Sequence, residues 1–234
     1  MPENNDSDSS LRLNKHLALQ LGLARREADN LIDSGRVTIN GKQAILGGRV
    51  IPGDIVSVDG KTISTDTELA YILLNKPTGY VCSRKRQGDW PTIYELLPTE
   101  LHNLKPVGRL DRDSSGLILL TNDGDFAFKM THPKFYKLKR YEITLDTDLS
   151  PLHQQMINDY GVQLEDGGSK LQLERISDDS RKEWIVVMSE GRNRQIRRTF
   201  DALGYTVKGL HRTNFGAYSL GDIKPGKYIS VNIQ

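Results

Sequence analysis

Gly108-Arg109-Leu110-Asp111-Arg112-Asp113-Ser114-Ser115-Gly116-Leu117-Ile118-Leu119-Leu120-Thr121 is the stretch whose pattern most constrains the architecture of this chain. A charged, turn-forming segment runs straight into an apolar strand. The loop is thereby anchored on a regular element, the arrangement that best holds chemical groups in place. Asp111 lies between Arg109 and Arg112, so a partly buried carboxylate there stays ionised at neutral pH. Read as residues alone, the same stretch is equally a turn in which Asp111, Asp113 and Ser114 satisfy nearby backbone groups.

Outward from this stretch, the chain alternates strand-like segments near 70–75, 117–121, 139–146, 171–176 and 183–189 with helix-like segments near 92–97, 125–131, 151–160 and 193–203. With Asn122-Asp123-Gly124 read as a hairpin turn, the pattern predicts an α+β domain over residues 70–234 on a largely antiparallel mixed sheet. Upstream, residues 11–60 read as a small α/β module. Leu13, Leu17 and Gln20-Leu21 mark one helix stopped by Gly22. A second runs from about Ala24 to Ser34, with an Arg25/Asp29 pair and Gly35 beyond its end. Arg36-Val37-Thr38-Ile39 then alternates as a strand, Asn40-Gly41 is a two-residue hairpin signal, and Pro52-Gly53-Asp54 turns the chain again. Residues 61–69 read as a linker and residues 1–10, acidic and without an apolar run, as a frayed tail that is neither signal nor transit peptide.

Hydrophobic residues at 37% and charged residues at 26% place the chain among folded, water-soluble proteins. No apolar run approaches the roughly 20 residues that cross a bilayer, so no membrane role is expected. The single cysteine, Cys82, excludes internal disulfides and cysteine-cluster zinc sites and fits a reducing cytoplasm. The net charge of +2 conceals segregation: residues 129–140 carry Lys129, Lys134, Lys137, Lys139 and Arg140 without an acid, residues 142–169 carry acids without a lysine or arginine, and residues 181–212 are again basic. Several basic blocks in one small chain point to a polyanion, with nucleic acid the economical candidate. Taken singly, each block is also an ordinary solvated face.

Two resemblances narrow this reading. Arg12-Leu13-Asn14-Lys15, Leu21-Gly22, Arg25-Arg26-Glu27-Ala28, Leu31-Ile32, Gly35-Arg36-Val37 and Ile39-Asn40-Gly41 together resemble the S4 RNA-binding domain. That likeness implies that Arg12, Lys15, Arg25, Arg26 and Lys42 meet RNA phosphates, contacts that position a protein without reading much sequence. Gly108-Arg109-Leu110-Asp111 with Ser114-Ser115-Gly116-Leu117-Ile118-Leu119-Leu120-Thr121-Asn122-Asp123-Gly124 resembles the signature of the RsuA/RluB group of ribosomal RNA pseudouridine synthases. The resemblance implies isomerisation of uridine, with Asp111 as the catalytic carboxylate.

A second block, Glu190-Gly191-Arg192-Asn193-Arg194-Gln195-Ile196-Arg197-Arg198, is similar to the same family's pattern. It implies that Arg197 pairs with the catalytic aspartate, its planar fork suiting two-point contact with a carboxylate, and that Ile196 packs near the target base. Thr199 stands where the family often has Met. Tyr141 in Lys139-Arg140-Tyr141-Glu142-Ile143 is implied to stack on the flipped uracil. Arg109 is expected to help hold the RNA open, while Arg192, Arg194, Arg198 and Arg212 are expected substrate contacts. Lys76-Pro77 matches a family pair that shapes the site, and Lys76 counts with the expected substrate contacts. The reaction exchanges an N1–C1′ for a C5–C1′ bond with no net gain of electrons or groups, so neither cofactor nor metal is expected.

The expected partner is ribosomal RNA or a pre-ribosomal particle met by a monomer. The S4-like module, the length and the run Tyr71–Ser83 lean toward the small-subunit branch. Two rivals are a non-catalytic S4-type RNA-binding or ribosome assembly factor, and a glycosidase that releases the base.

Overall fold

The computed structural model describes residues 10–63 and 68–233. Residues 1–9 of the expected tail and 64–67 of the expected linker lie outside the described residues. The chain divides into two compact units, Met1–Leu69 and Ala70–Gln234.

The first unit runs β1 (Leu11–Arg12), α1 (Leu13–Gln20), α2 (Arg25–Asp33), β2 (Val37–Ile39), β3 (Lys42–Gln43), β4 (Arg49–Val50), β5 (Val56–Val58) and β6 (Lys61–Thr62). Leu13 and Leu17, and Ala28 and Ile32, are spaced four apart on their helices and so share faces. These faces close on Val37, Val50 and Val56 as one buried core. The four-stranded sheet is ordered β3-β2-β5-β6. Asn40 and Gly41 both take positive φ (51° and 77°) and join β2 to β3, the backbone that a type I′ hairpin requires. Two expectations are corrected. Lys61 and Thr62 pair with Val58 and Ser57, so the sheet extends into the stretch read as linker. Arg25 and Asp29 are joined through Asn14, whose amide donates to Asp29 (2.8 Å) and accepts from Arg25 (3.2 Å).

The second unit contains β7 (Tyr71–Lys76), β8 (Lys105–Val107), β9 (Ser115–Thr121), α3 (Gly124–Thr131), β10 (Lys139–Leu145), α4 (Pro151–Gln155), β11 (Val162–Leu164), β12 (Gly167–Ser169), β13 (Gln172–Arg175), β14 (Glu183–Met188), α5 (Gln195–Asp201), β15 (Val207–Phe215), β16 (Tyr218–Ser219) and β17 (Tyr228–Ser230). Its sheet follows the order β13-β14-β10-β15-β9-β7-β17, with β16 on β15 and β8 on β9. Every pairing is antiparallel except β15 with β9. This is the α+β, largely antiparallel mixed sheet that the pattern predicts.

Leu117 and Leu119 of β9 pack with Val107, Met130 and Phe215, whereas Ile118 and Leu120 join the larger core around Trp184 and Phe200. A strand buried on both faces reads as an unbroken apolar run rather than an alternation. The turn Asn122-Asp123-Gly124 is corrected: it leads from strand to helix. Asp123 caps α3 by accepting from the N–H groups of Asp125 and Phe126, satisfying donors that the first helical turn leaves open.

Candidate active site

A cleft of about 890 Å³ in the second unit is lined by residues from the 81–83, 108–114 and 188–197 segments, by Lys139 and Tyr141 of β10, and by Leu210, Arg212 and Phe215 of β15. Sheet register assembles this set. Tyr141 lies opposite Arg212 across β10 and β15, while Gly116 lies opposite Arg212 across β9 and β15. Gly116 has φ +103°, and a Cβ there would fall 2.3 Å from the Arg212 carbonyl oxygen. Only glycine lets the strand that follows Asp111 approach β15 this closely.

Lys76 holds the loop that carries Asp111. Its side chain is fully buried, and Nζ donates to the carbonyls of Pro77 (3.0 Å), Asp111 (3.1 Å) and Ser114 (2.6 Å). Burial pushes this ammonium below its ordinary range, while Cys82, Asp113 and Asp111 pull it back up. The expectation of Lys76 as a substrate contact is therefore corrected, because its hydrogen bonds are spent inside the protein. From the other side, the Arg112 guanidinium lies 3.7 Å over the Trp90 ring, the Arg112 carbonyl accepts from the Gly79 N–H at 2.8 Å, and the Leu110 N–H donates to Cys82 Sγ at 3.4 Å.

The Asp111 carboxylate remains one-third exposed on the cleft wall, its Oδ2 3.5 Å from Arg194 Nη1. The expected pairing with Arg197 is corrected. Arg197 donates to the carbonyls of Val207 (2.6 Å) and Asp113 (2.9 Å) and approaches the Asp113 carboxylate at 3.3 Å through Nε. Arg194 reaches both carboxylates, with Asp113 at 3.1 Å. Burial alone would raise the Asp113 pKa, but the Arg194 hydrogen bond and the charges of Arg197 and Arg194 outweigh it and hold the group below the usual carboxylate range. Arg194 caps α5 in the left-handed region (φ 47°), a conformation that costs a non-glycine residue energy and clusters at functional sites.

Tyr141 and Ile196 are both buried and both line the cleft. Arg109 is exposed at its rim. Arg192, which lines the cleft, and Arg198 each pair with Asp166 at 2.8 Å. Arg192 also donates to the carbonyls of Gly167 and Gly168. They tie the start of α5 to the β11–β12 hairpin. Thr199, in the place often held by Met, is fully buried and bonds to Ser169 Oγ at 2.7 Å and to the Gln195 carbonyl at 2.8 Å.

Arg212 is not a surface contact: it is 2% exposed, with Nε donating to the Leu117 carbonyl at 2.7 Å. Lys139, which belongs in the sequence to a basic block and to the segment around Tyr141 but is no site candidate there, also lines this cleft; a lysine opening a strand carries no local signal that it faces inward. In the first unit, Arg12, Arg25, Arg26 and Lys42 are exposed and Lys15 is half-buried.

Comparison with known proteins places this geometry in a family. A family model described as RNA pseudouridylate synthase matches residues 70–202. The Dual-specificity RNA pseudouridine synthase RluF of Escherichia coli (strain K12) is 36% identical over 223 residues, covering 94% of this chain and 75% of that protein. The Ribosomal small subunit pseudouridine synthase A of Pasteurella multocida is 36% identical over 229 residues, covering 96% of this chain and 97% of its own. A crystal structure described as that of a pseudouridylate synthase superposes with a TM-score of 0.67 at 32% identity, over 95% of this chain and 96% of the other. The cleft around Asp111, Tyr141 and the α5 arginines thus belongs to an isomerase, and the chain is a member of the RNA pseudouridine synthase family of the RsuA/RluB type.

Proposed function

We propose that this enzyme isomerises a specific uridine of ribosomal RNA, small-subunit RNA in preference to large, with Asp111 as the catalytic carboxylate and the flipped base stacked on Tyr141. The observation that carries the reading is the Asp111 carboxylate itself, one-third exposed on the wall of a large cleft and mounted on a loop whose carbonyls are gripped by a buried ammonium. A loop held this way keeps its reacting group in register with a bound substrate, which supplies much of the advantage of positioned catalysis.

The chemistry asks for few groups. The N1–C1′ bond breaks with its electron pair leaving on uracil, the base turns while enclosed, C5 joins C1′, the C5 proton passes to water, and N1 takes up a proton in its place. An ionised carboxylate can open this sequence at C1′, at C6 or at the C2′ proton. Each route needs the charge that Arg194 supports from 3.5 Å. Arg197 acts as a positioning residue, bracing the 113–114 turn behind Asp111. Tyr141 offers a planar face to a base that has left its stack. The exposed bases of the first unit, Arg12, Arg25, Arg26 and Lys42 with Lys15 beside them, serve to hold RNA phosphates. Arg109, at the rim, keeps the target nucleotide turned out.

The preference for small-subunit RNA is supported by the near end-to-end match with a protein named as a small-subunit synthase, against partial coverage of the RluF protein. One assay tests the reaction: tritium release from rRNA transcripts labelled at uracil C5. Wild type releases tritium, Asp111→Asn lowers the rate at least a thousandfold, and neither leaves abasic sites. Release by neither protein from any rRNA, naked or partly assembled, sinks the proposal in favour of a binding protein, and free uracil would identify a glycosidase. Mapping pseudouridines in cells lacking the protein identifies the subunit.

A further inference from the structure

Two cations in the cleft have no anion of their own. Arg212 is 2% exposed, its side chain donates from Nε to the Leu117 carbonyl, and its Nη2 is buried without a partner among the described residues. Lys139 Nζ donates to the carbonyls of Ser189 and Glu190, both at 3.1 Å, leaving one of its three N–H groups uncommitted. Both charges sit over one ring: Arg212 Cζ lies 4.9 Å and Lys139 Nζ 5.4 Å from the Phe215 centroid. Neither forms an ion pair among the described residues. The nearest acid along the loop, Glu190, has its carboxylate engaged by Gln195 at 2.7 Å and by Arg192 at 3.5 Å.

A buried charge without a counter-ion is costly, and proteins that keep one generally complete it with something that binds. Two like charges beside one aromatic ring raise that cost. The same proximity helps depress the Lys139 pKa, after burial as the main cause. Both side chains line the cleft that holds Asp111 and Tyr141. We propose that Lys139 and Arg212 form an anion subsite of this cleft, which receives a negatively charged oxygen of the substrate.

The inference rests on the isomerisation proposed above and adds a site to it. Two oxygens of this chemistry are present during such a reaction: a phosphodiester oxygen beside the target uridine, and the uracil oxygen that gains charge once the N1–C1′ bond opens. They differ in when the charge exists. A phosphate is anionic from first binding, so its loss weakens affinity. A uracil oxygen is anionic only as the bond breaks, so its loss slows the chemical step.

The test uses the full chain with Arg212→Met, Lys139→Met and the charge-keeping Arg212→Lys, folding being checked by thermal melts. It measures both the Kd for an rRNA transcript and the single-turnover rate of tritium release. A phosphate ligand predicts a Kd raised about tenfold at unchanged rate. A methylphosphonate at the contacted position would weaken wild type equally and leave the variants unaffected. A uracil-oxygen ligand predicts a rate lowered about a hundredfold at unchanged Kd. Either result supports the subsite, with Arg212→Lys intermediate. If a folded Arg212→Met or Lys139→Met keeps both Kd and rate, the subsite is overturned. Should Arg212→Met fail to fold, Lys139→Met decides, because its position is only partly buried. If wild type itself releases no tritium, the proposed reaction falls, and inorganic sulfate then decides the subsite: a rise in Tm present in wild type and absent in Lys139→Met supports it, and equal responses overturn it.

Discussion

Two lysines of the second unit are withdrawn from water, and burial pushes both ammonium groups below their ordinary range. Lys76 spends its donors on the loop of Asp111, and Lys139 spends two of its three on the loop of Glu190. For Lys139 the pKa falls from 10.5 to about 8, so between these values the unfolded chain holds a proton that the folded chain has released. Stability contributed through this group therefore rises with pH across that window, and the penalty for burying the charge is fully present below pH 8. We expect the stability of wild type relative to Lys139→Met to increase from pH 8 to pH 10.5, read from urea midpoints at matched m values. A flat difference across that range would show that Lys139 keeps its proton in the fold. At the same scale, the exchange of partners between Arg194 and Arg197 shows what a motif conveys. The arginine-rich block was legible; which guanidinium meets which carboxylate depends on where the α5 axis points, and that is set by the packing of Ile196 and Phe200 in the core.

At the scale of elements, the parallel contact between β9 and β15 is the hinge of the architecture, since it brings Arg212 beside the strand that follows the Asp111 loop. Gly116→Ala would push a methyl group into the Arg212 backbone and strain a positive φ. We expect a loss of about 3 kcal/mol or more in urea unfolding, and a change below about 1 kcal/mol would mean that the strands can part without cost. The turn after α3 offers a change of opposite sign. Tyr136 takes φ 46° with its residue 76% exposed, a conformation that asparagine adopts far more readily than tyrosine. Tyr136→Asn should raise stability by about 0.5–1 kcal/mol, checked by the same unfolding curve; destabilisation would show that the exposed ring packs in solution. The strand β15 is the longest of the elements that local pattern failed to disclose. Val207-Lys208-Gly209-Leu210-His211-Arg212-Thr213-Asn214-Phe215 lacks a clean alternation because its side chains serve the cleft as well as the core. The Asn122-Asp123-Gly124 turn misled for a related reason: an aspartate that accepts from the next N–H groups suits a hairpin and a helix cap alike, although the helix expected near 125–131 is present as α3, with Phe126 packed beside Tyr71 and Tyr218.

For the whole molecule, charge governs the encounter with RNA. Arg26 and Lys42 are exposed in the first unit, and their joint replacement by alanine should weaken binding of rRNA transcripts uniformly across sequences. It should also flatten the dependence of log K on log salt by about 1–2 in slope. An unchanged slope, measured by filter binding from 50 to 200 mM salt, would remove these residues from the RNA contact. The amino-acid sequence by itself determined the class of fold, the run of helices and strands around the apolar β9, the family, and the place of Asp111 in a loop leading into a buried strand. Each of these depends on local periodicity or on a contiguous motif, which survive without knowledge of distant neighbours. The tertiary structure decided what each cation faces. Lys76 turns onto backbone carbonyls, Arg192 and Arg198 close on Asp166, Arg194 takes the carboxylate, and Lys139 joins Arg212 over Phe215 in the wall of the cleft. A basic residue looks the same in sequence whether it faces solvent, a backbone carbonyl or a carboxylate, because its fate depends on partners tens of residues away, brought near only by sheet register and packing.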